Sequence, residues 1–280
     1  MKGPRVRLRR RLACVAVVAL STWAGAWPAQ ARVATDDLTA AADAARAELH
    51  WDLVASEDFD GPLSTERWTA YSGRPGCCED TLWTPDQVRV ARGHLVLRNN
   101  PDASGTWTSG GVGGWGWDEA TRLYGRWDAR VRLDQGAGVS ATALLWPVEG
   151  WPPEVNYFEI FETWPLRDRM AVTTHYLEDQ APGLSQWIVH ADFTRWHVVS
   201  VRWTATQLAY FVDGIRVLVE TDPARIPRTP MWPAFQTHVH RDADGDWPQL
   251  MPGRRTVRMQ VDWLRVYAPD STRSDGGPTP

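Results

Sequence analysis

From residue 51 onward the chain is built of short runs in which apolar and polar positions alternate, separated by Gly, Pro, Asn and Asp. Trp127-Asp128-Ala129-Arg130-Val131-Arg132-Leu133 shows the period of two that a strand with one buried face requires. His197 to Trp203 and Arg258 to Tyr267 follow the same rhythm. Between Leu208 and Val219 two apolar runs flank Asp213-Gly214, a pair that supplies the positive φ angles of a tight hairpin turn. Only the Ala-rich stretch Leu38 to Leu49 reads as helix, and no internal repeat is evident. Many short strands, frequent Gly and Pro and almost no helix predict an all-β domain of two packed antiparallel sheets over residues 51–268. The 280 residues lie within reach of one such core.

The ends read differently. Residues 1–31 combine an Arg-rich start, an apolar stretch from Leu12 to Ala24 and Ala29-Gln30-Ala31, the three parts of an export signal. The apolar stretch is too short to span a bilayer. Cleavage after Ala31 is expected, leaving a 32–50 leader with its short helix, and a secreted protein. A tail at 269–280, rich in Pro, Gly, Ser and Asp, predicts disorder. Without residues 1–31 the chain carries 24 basic against 34 acidic side chains. That balance argues against nucleic acid or an anionic membrane as partner and suits a neutral polysaccharide; a monomer is expected. Cys77 and Cys78 then remain as neighbours, so no long-range disulfide can staple the fold.

Candidate chemistry concentrates in Trp151-Pro152-Pro153-Glu154-Val155-Asn156-Tyr157-Phe158-Glu159-Ile160-Phe161-Glu162. Strict alternation would turn Glu159 to the same side as Val155, Tyr157 and Phe161, burying an unpaired carboxylate at high cost. A β-bulge near Tyr157 or Phe158 resets the phase and brings Glu154, Asn156 and Glu159 onto one face. Four effective strand steps separate the two glutamate Cα atoms by roughly 13 Å, which inward-leaning side chains can close to about 5 Å. A carboxylate gap of about 5–5.5 Å is that of a retaining glycosidase. Two glutamates five residues apart are equally compatible with an exposed strand edge.

Further segments extend the pattern: Asp60-Gly61, Trp107-Thr108-Ser109-Gly110, Tyr124-Gly125-Arg126-Trp127, Asp192-Phe193 with Trp196-His197, Val212-Asp213-Gly214, and Val261-Asp262-Trp263-Leu264-Arg265-Val266-Tyr267. In kind and order they resemble the landmarks of glycoside hydrolase family 16, which includes laminarinases, lichenases and agarases. The resemblance covers Phe59 to Tyr267. It implies a concanavalin-like jelly roll with a concave substrate cleft, no cofactor for catalysis, and hydrolysis inside a β-linked polysaccharide, foremost a β-1,3-glucan. It implies Glu154 as nucleophile and Glu159 as acid/base in a motif Glu-x-Asp-x-x-Glu. Here Asn156 stands where that motif has aspartate. The departure leaves open a carbohydrate-binding sandwich with weak or lost hydrolytic activity, and a transglycosylase is a further alternative because a sugar can capture the same intermediate in place of water.

Flat aromatic faces stack on sugar rings, and the chain holds 18 tryptophans. Trp115 and Trp117 in a Gly-rich stretch, and Trp146 and Trp151 beside the glutamate segment, are the cleft candidates. Trp203 and Trp263, inside strand patterns, read as packing. Trp146, two residues beyond Leu144, shares its side of a strand and can replace the aromatic that the resemblance places at 144. Gly111 replaces a larger residue of the pattern. By resemblance His175 and Gln236 line the cleft, and Asp262 and Glu57 would contribute to a structural calcium site on the opposite face. His238 and His240 form an alternate pair without an identifiable third metal ligand.

Overall fold

The computed structural model describes residues 51–75, 80–248 and 256–269. The export signal, the Leu38–Leu49 helix, Cys77, Cys78 and residues 270–280 lie outside the described residues. Pro269, assigned above to the tail, instead closes the last strand.

Alternating sequence becomes strand throughout. In chain order these are β1 (Trp51–Glu57), β2 (Thr69–Ala70), β3 (Val88–Val90), β4 (Leu95–Pro101), β5 (Trp107–Ser109), β6 (Gly111–Gly113), β7 (Gly125–Leu133) and β8 (Val139–Pro147). There follow β9 (Glu154–Ile160), β10 (Arg169–Glu178), β11 (Ala181–His190), β12 (His197–Trp203), β13 (Leu208–Val212), β14 (Ile215–Glu220), β15 (Met231–Val239) and β16 (Val257–Pro269). Among the described residues the helical content is a single 3-10 turn, Pro85–Gln87.

Two antiparallel sheets result. One runs β14-β13-β12-β7-β16-β4-β3, with β1 added against β16 and β5 against β4; the other runs β11-β10-β9-β8-β15-β6-β2. Sheets of this size must each bury one face, and they do so against each other. Trp127, Val131, Val199, Val201, Trp203, Leu264 and Val266 of the first sheet share one apolar core with Val155, Tyr157, Phe158, Ile160 and Phe235 of the second. Trp203 is fully enclosed and donates its indole N–H to the Pro227 carbonyl at 3.1 Å. Trp263 packs beneath the Arg265 guanidinium, 5.2 Å from its ring centre.

The Asp213-Gly214 turn forms as expected, with φ of 50° and 81° between paired Val212 and Ile215. Asp213 tolerates the left-handed backbone because its carboxylate accepts the Val198 N–H at 2.8 Å and contacts His197 Nδ1 at 2.7 Å.

Strand β8 shows how the second sheet carries two faces. Val139, Ala141, Ala143 and Leu145 enter the core. Ser140, Thr142 and Trp146 line a cleft on the other side. Between β9 and β10, Arg167 is fully buried and donates to the carbonyls of Asp134, Gly136, Phe161 and Trp164. Those carbonyls stabilise the cation, yet burial still lowers its pKa to about 10.

Candidate active site

Strand β9 contains the predicted irregularity. Against β8, Ala143 faces Phe158 while Leu144 faces Asn156, which leaves Tyr157 as the extra residue. Against β10 the register shifts over the same stretch, with Ala171 opposite Glu159 and Thr173 opposite Asn156. Tyr157 and Phe158 can therefore both enter the core, and both are fully buried. Glu154, Asn156 and Glu159 all line the cleft on the other face. The bulge removes the need to bury a carboxylate among apolar neighbours.

The cleft encloses about 810 Å³. On its floor Asn156, nearly inaccessible, donates its amide Nδ2 to Glu159 Oε1 at 3.4 Å and also hydrogen-bonds Glu154. Trp151 donates its indole N–H to Glu154 Oε2 at 2.8 Å, and Thr173 donates its hydroxyl to Glu159 Oε2 at 2.6 Å. Burial pushes the Glu154 carboxyl above its ordinary range, against the hydrogen bonds from Trp151 and Asn156. Burial also raises Glu159, and the Glu154 charge raises it further, against Thr173, His175 and Asn156. His175 itself is lowered by burial, against the Glu159 charge, and so sits in the cleft as a neutral imidazole near pH 7. The pair can thus hold one proton and one negative charge between two carboxyls, as general acid chemistry beside a nucleophile requires.

A model of the glycosyl hydrolases family 16 matches residues 79–265, about two thirds of the chain. This chain belongs to that family. It is accordingly an O-glycosyl hydrolase. A beta-glucanase from Rhodothermus marinus is 28% identical over 254 residues, covering 78% of this chain and 85% of that protein. Many solved structures share the fold, and two of them illustrate the match. The catalytic domain of an endo-1,3-beta-glucanase (laminarinase) from Thermotoga petrophila RKU-1 superposes with a TM-score of 0.65 at 21% identity, over 79% of this chain and 99% of its own. The endo-beta-1,3-glucanase from Pyrococcus furiosus gives 0.65 at 19% identity, over 80% and 96%.

Within this family 16 domain the predicted cleft residues divide. Trp146, Trp151, His175 and Gln236 all line the cavity. Trp151 and His175 lean together with ring centres 5.8 Å apart. Trp115 stands one ring back: it is half-exposed and stacks at 5.9 Å, nearly parallel, on Tyr71, which is in the wall. Trp117 is not in the cleft. It is buried, 2% exposed, with its ring edge-on to Trp68 at 5.5 Å and the Arg67 guanidinium 5.1 Å away. The turn that closes Trp117 N–H onto the Gly114 carbonyl rolls it inward, and no loop pattern in the sequence reveals that direction.

Glu57 and Asp262 come to neighbouring strands, but their charges are already matched. Glu57 accepts the Phe59 N–H at 3.0 Å and faces Arg67 at 3.5 Å. Asp262 pairs with Arg130 and with His94, the latter at 3.1 Å. Calcium needs six to eight oxygen donors, so a site here would draw most of its shell from backbone carbonyls. Among the described residues no cluster of three His, Cys, Asp or Glu side chains could hold a metal. His238 and His240 also line the cleft; His240 Nε2 lies 3.1 Å from Ser140 Oγ, and burial lowers His238 to about 3.

Tyr71, Trp83, Thr142 and Ser140 line the cleft without having been singled out in the sequence. A signal for Tyr71 existed in the glycines of β6. A Cβ on Gly111 would lie 2.5 Å from the Tyr71 ring, and one on Gly113 would lie 2.6 Å from Trp115 and 2.8 Å from Trp232. Bare backbone there lets three rings lie against the sheet.

Proposed function

We propose that this protein is a secreted, retaining endo-β-glucan hydrolase whose foremost substrate is a β-1,3-glucan. The observation that carries the reading is the bulged strand β9, which brings Glu154 and Glu159 to one cleft face around Asn156. The related proteins support the substrate class, since a beta-glucanase and two endo-1,3-beta-glucanases are among them. The export-signal pattern of residues 1–31 supports secretion.

In this reading Glu154 attacks the anomeric carbon while Glu159 protonates the departing glycosidic oxygen, and Glu159 then draws a proton from the water that releases the sugar. Two features favour that division of labour. Trp151 donates to Glu154 and stabilises its anion, while the Glu154 charge makes Glu159 the better proton holder. Trp146 and Tyr71 offer ring faces to the glucan chain, and Gln236 and His175 offer hydrogen bonds to its hydroxyls.

The deciding experiment pairs a substrate panel with one variant. Laminarin, mixed-linkage glucan, agarose, carrageenan and galactan are digested, and the products are sized over time and checked by NMR for anomeric configuration. Early long fragments of β configuration from laminarin are expected. Glu154→Gln should abolish release while polysaccharide binding persists. Monomers or dimers alone from the start, or an active Glu154→Gln, would overturn the proposal.

A further inference from the structure

A line of polar side chains crosses three strands behind the Glu159 carboxyl. Gln186, exposed on the edge strand β11, stands opposite Thr173 of β10, and Thr173 stands opposite Asn156 of β9. Gln186 Nε2 donates to Thr173 Oγ1 at 3.1 Å, and Thr173 donates to Glu159 Oε2 at 2.6 Å. A threonine hydroxyl has one proton. With its oxygen accepting from Gln186, that proton is directed at Oε2. Oε1 meets only the Asn156 amide N–H, and at 3.4 Å, whereas Oε2 is held at 2.6 Å; the proton of a neutral Glu159 therefore belongs on Oε1, the less firmly held oxygen.

We propose that Thr173 and Gln186 are positioning residues that select the Glu159 oxygen from which the leaving sugar receives its proton. The inference rests on Glu159 being the acid/base of the proposed function. In the first step an oxygen of Glu154 bonds to the anomeric carbon and the bond to the leaving oxygen breaks, its electron pair staying with that oxygen. The Oε1 proton moves to that oxygen, and the charge left on Glu159 is met by the Thr173 hydroxyl. In the second step water bonds to the anomeric carbon, Glu154 departs with its electron pair, and the water proton returns to Oε1.

The test uses the whole protein with Thr173→Val, Thr173→Ser, Gln186→Ala and Glu159→Ala. Each is assayed across pH on laminarin and on a 2,4-dinitrophenyl β-glucan oligosaccharide, whose departure needs no proton. For Thr173→Val, kcat on laminarin should fall roughly tenfold with little change in KM, because general acid help is only partly lost. Its basic limb should move to higher pH, since a carboxylate without its donor holds the proton more firmly. Thr173→Ser should restore both. The glycosylation burst on the aryl substrate should suffer far less, and Gln186→Ala should follow in the same direction with a smaller effect. An unmoved basic limb, or equal losses on both substrates, overturns the positioning role. If Thr173→Val does not fold, Gln186→Ala alone decides, its side chain being exposed. Glu159→Ala separates the two ideas: retained laminarin cleavage sinks the acid/base reading, whereas its loss beside an unshifted Thr173→Val sinks only the positioning role.

Discussion

Replacing Asn156 by aspartate would put a third carboxyl between two that already share the cleft floor. The amide nitrogen it removes lies 3.4 Å from Glu159 Oε1 and is the donor that steadies both glutamates as anions. Two unit charges at 3.4 Å in an effective dielectric of about 20 repel by about 5 kcal/mol. A unit of pKa corresponds to about 1.36 kcal/mol, so the pair takes up a proton before both sites ionise near neutral pH. Glu159 in Asn156→Asp therefore stays protonated to higher pH than in the native chain. The assay is kcat/KM for reducing-sugar release from laminarin between about pH 4 and about pH 10, since this ratio reports the free enzyme's acid and base. The basic limb should move to higher pH and the maximal rate should rise. Beyond the native limb, the gain should be about tenfold for each pH unit of displacement. By comparison the native enzyme should show an acid-shifted profile and a lower rate. The same charge bears on folding. A buried acid whose folded pKa lies above its unfolded value leaves stability intact at low pH and subtracts from it as pH rises through the folded pKa. Asn156→Asp should then match the native melting temperature in acid and fall below it toward neutral pH. If neither the profile nor the rate moves, the account of position 156 is wrong.

Two other outcomes can be checked simply. Glu154→Gln, besides losing hydrolysis, should melt higher than the native chain near pH 7, because burial raises the Glu154 pKa and its ionisation opposes folding; the gap should close as pH falls toward about 4. Gly111→Ala adds a Cβ 2.5 Å from the Tyr71 ring and should cost roughly 1–3 kcal/mol of stability, read as a lower denaturant midpoint. It should also raise KM for laminarin as that ring is displaced, and an unchanged KM would remove Tyr71 from the substrate wall.

Much of this protein can be read from local chemistry. Alternation along β7, β12 and β16 is a property of neighbouring residues, because successive side chains of a strand point to opposite faces wherever the strand ends up. The Asp213-Gly214 hairpin is equally local, since it depends on two backbone conformations. Even the bulge in β9 followed from sequence, because a straight strand would have driven Glu159 into the core. What stayed hidden depends on residues distant in sequence. Trp115 and Trp117 are two apart in one loop, yet one stacks outward on Tyr71 and the other packs inward on Trp68. The ion-pair partners of Asp262 and Glu57, which are Arg130, His94 and Arg67, could not be read from the neighbouring sequence. Gln186 reaches Thr173, and through it Glu159, only because β10 and β11 pair in one particular register. Strand period and turn geometry arise from sterics within a few residues, so the sequence by itself determines them. Partners of a charge or a ring are set by long-range packing, and only the assembled sandwich decides which face each side chain meets.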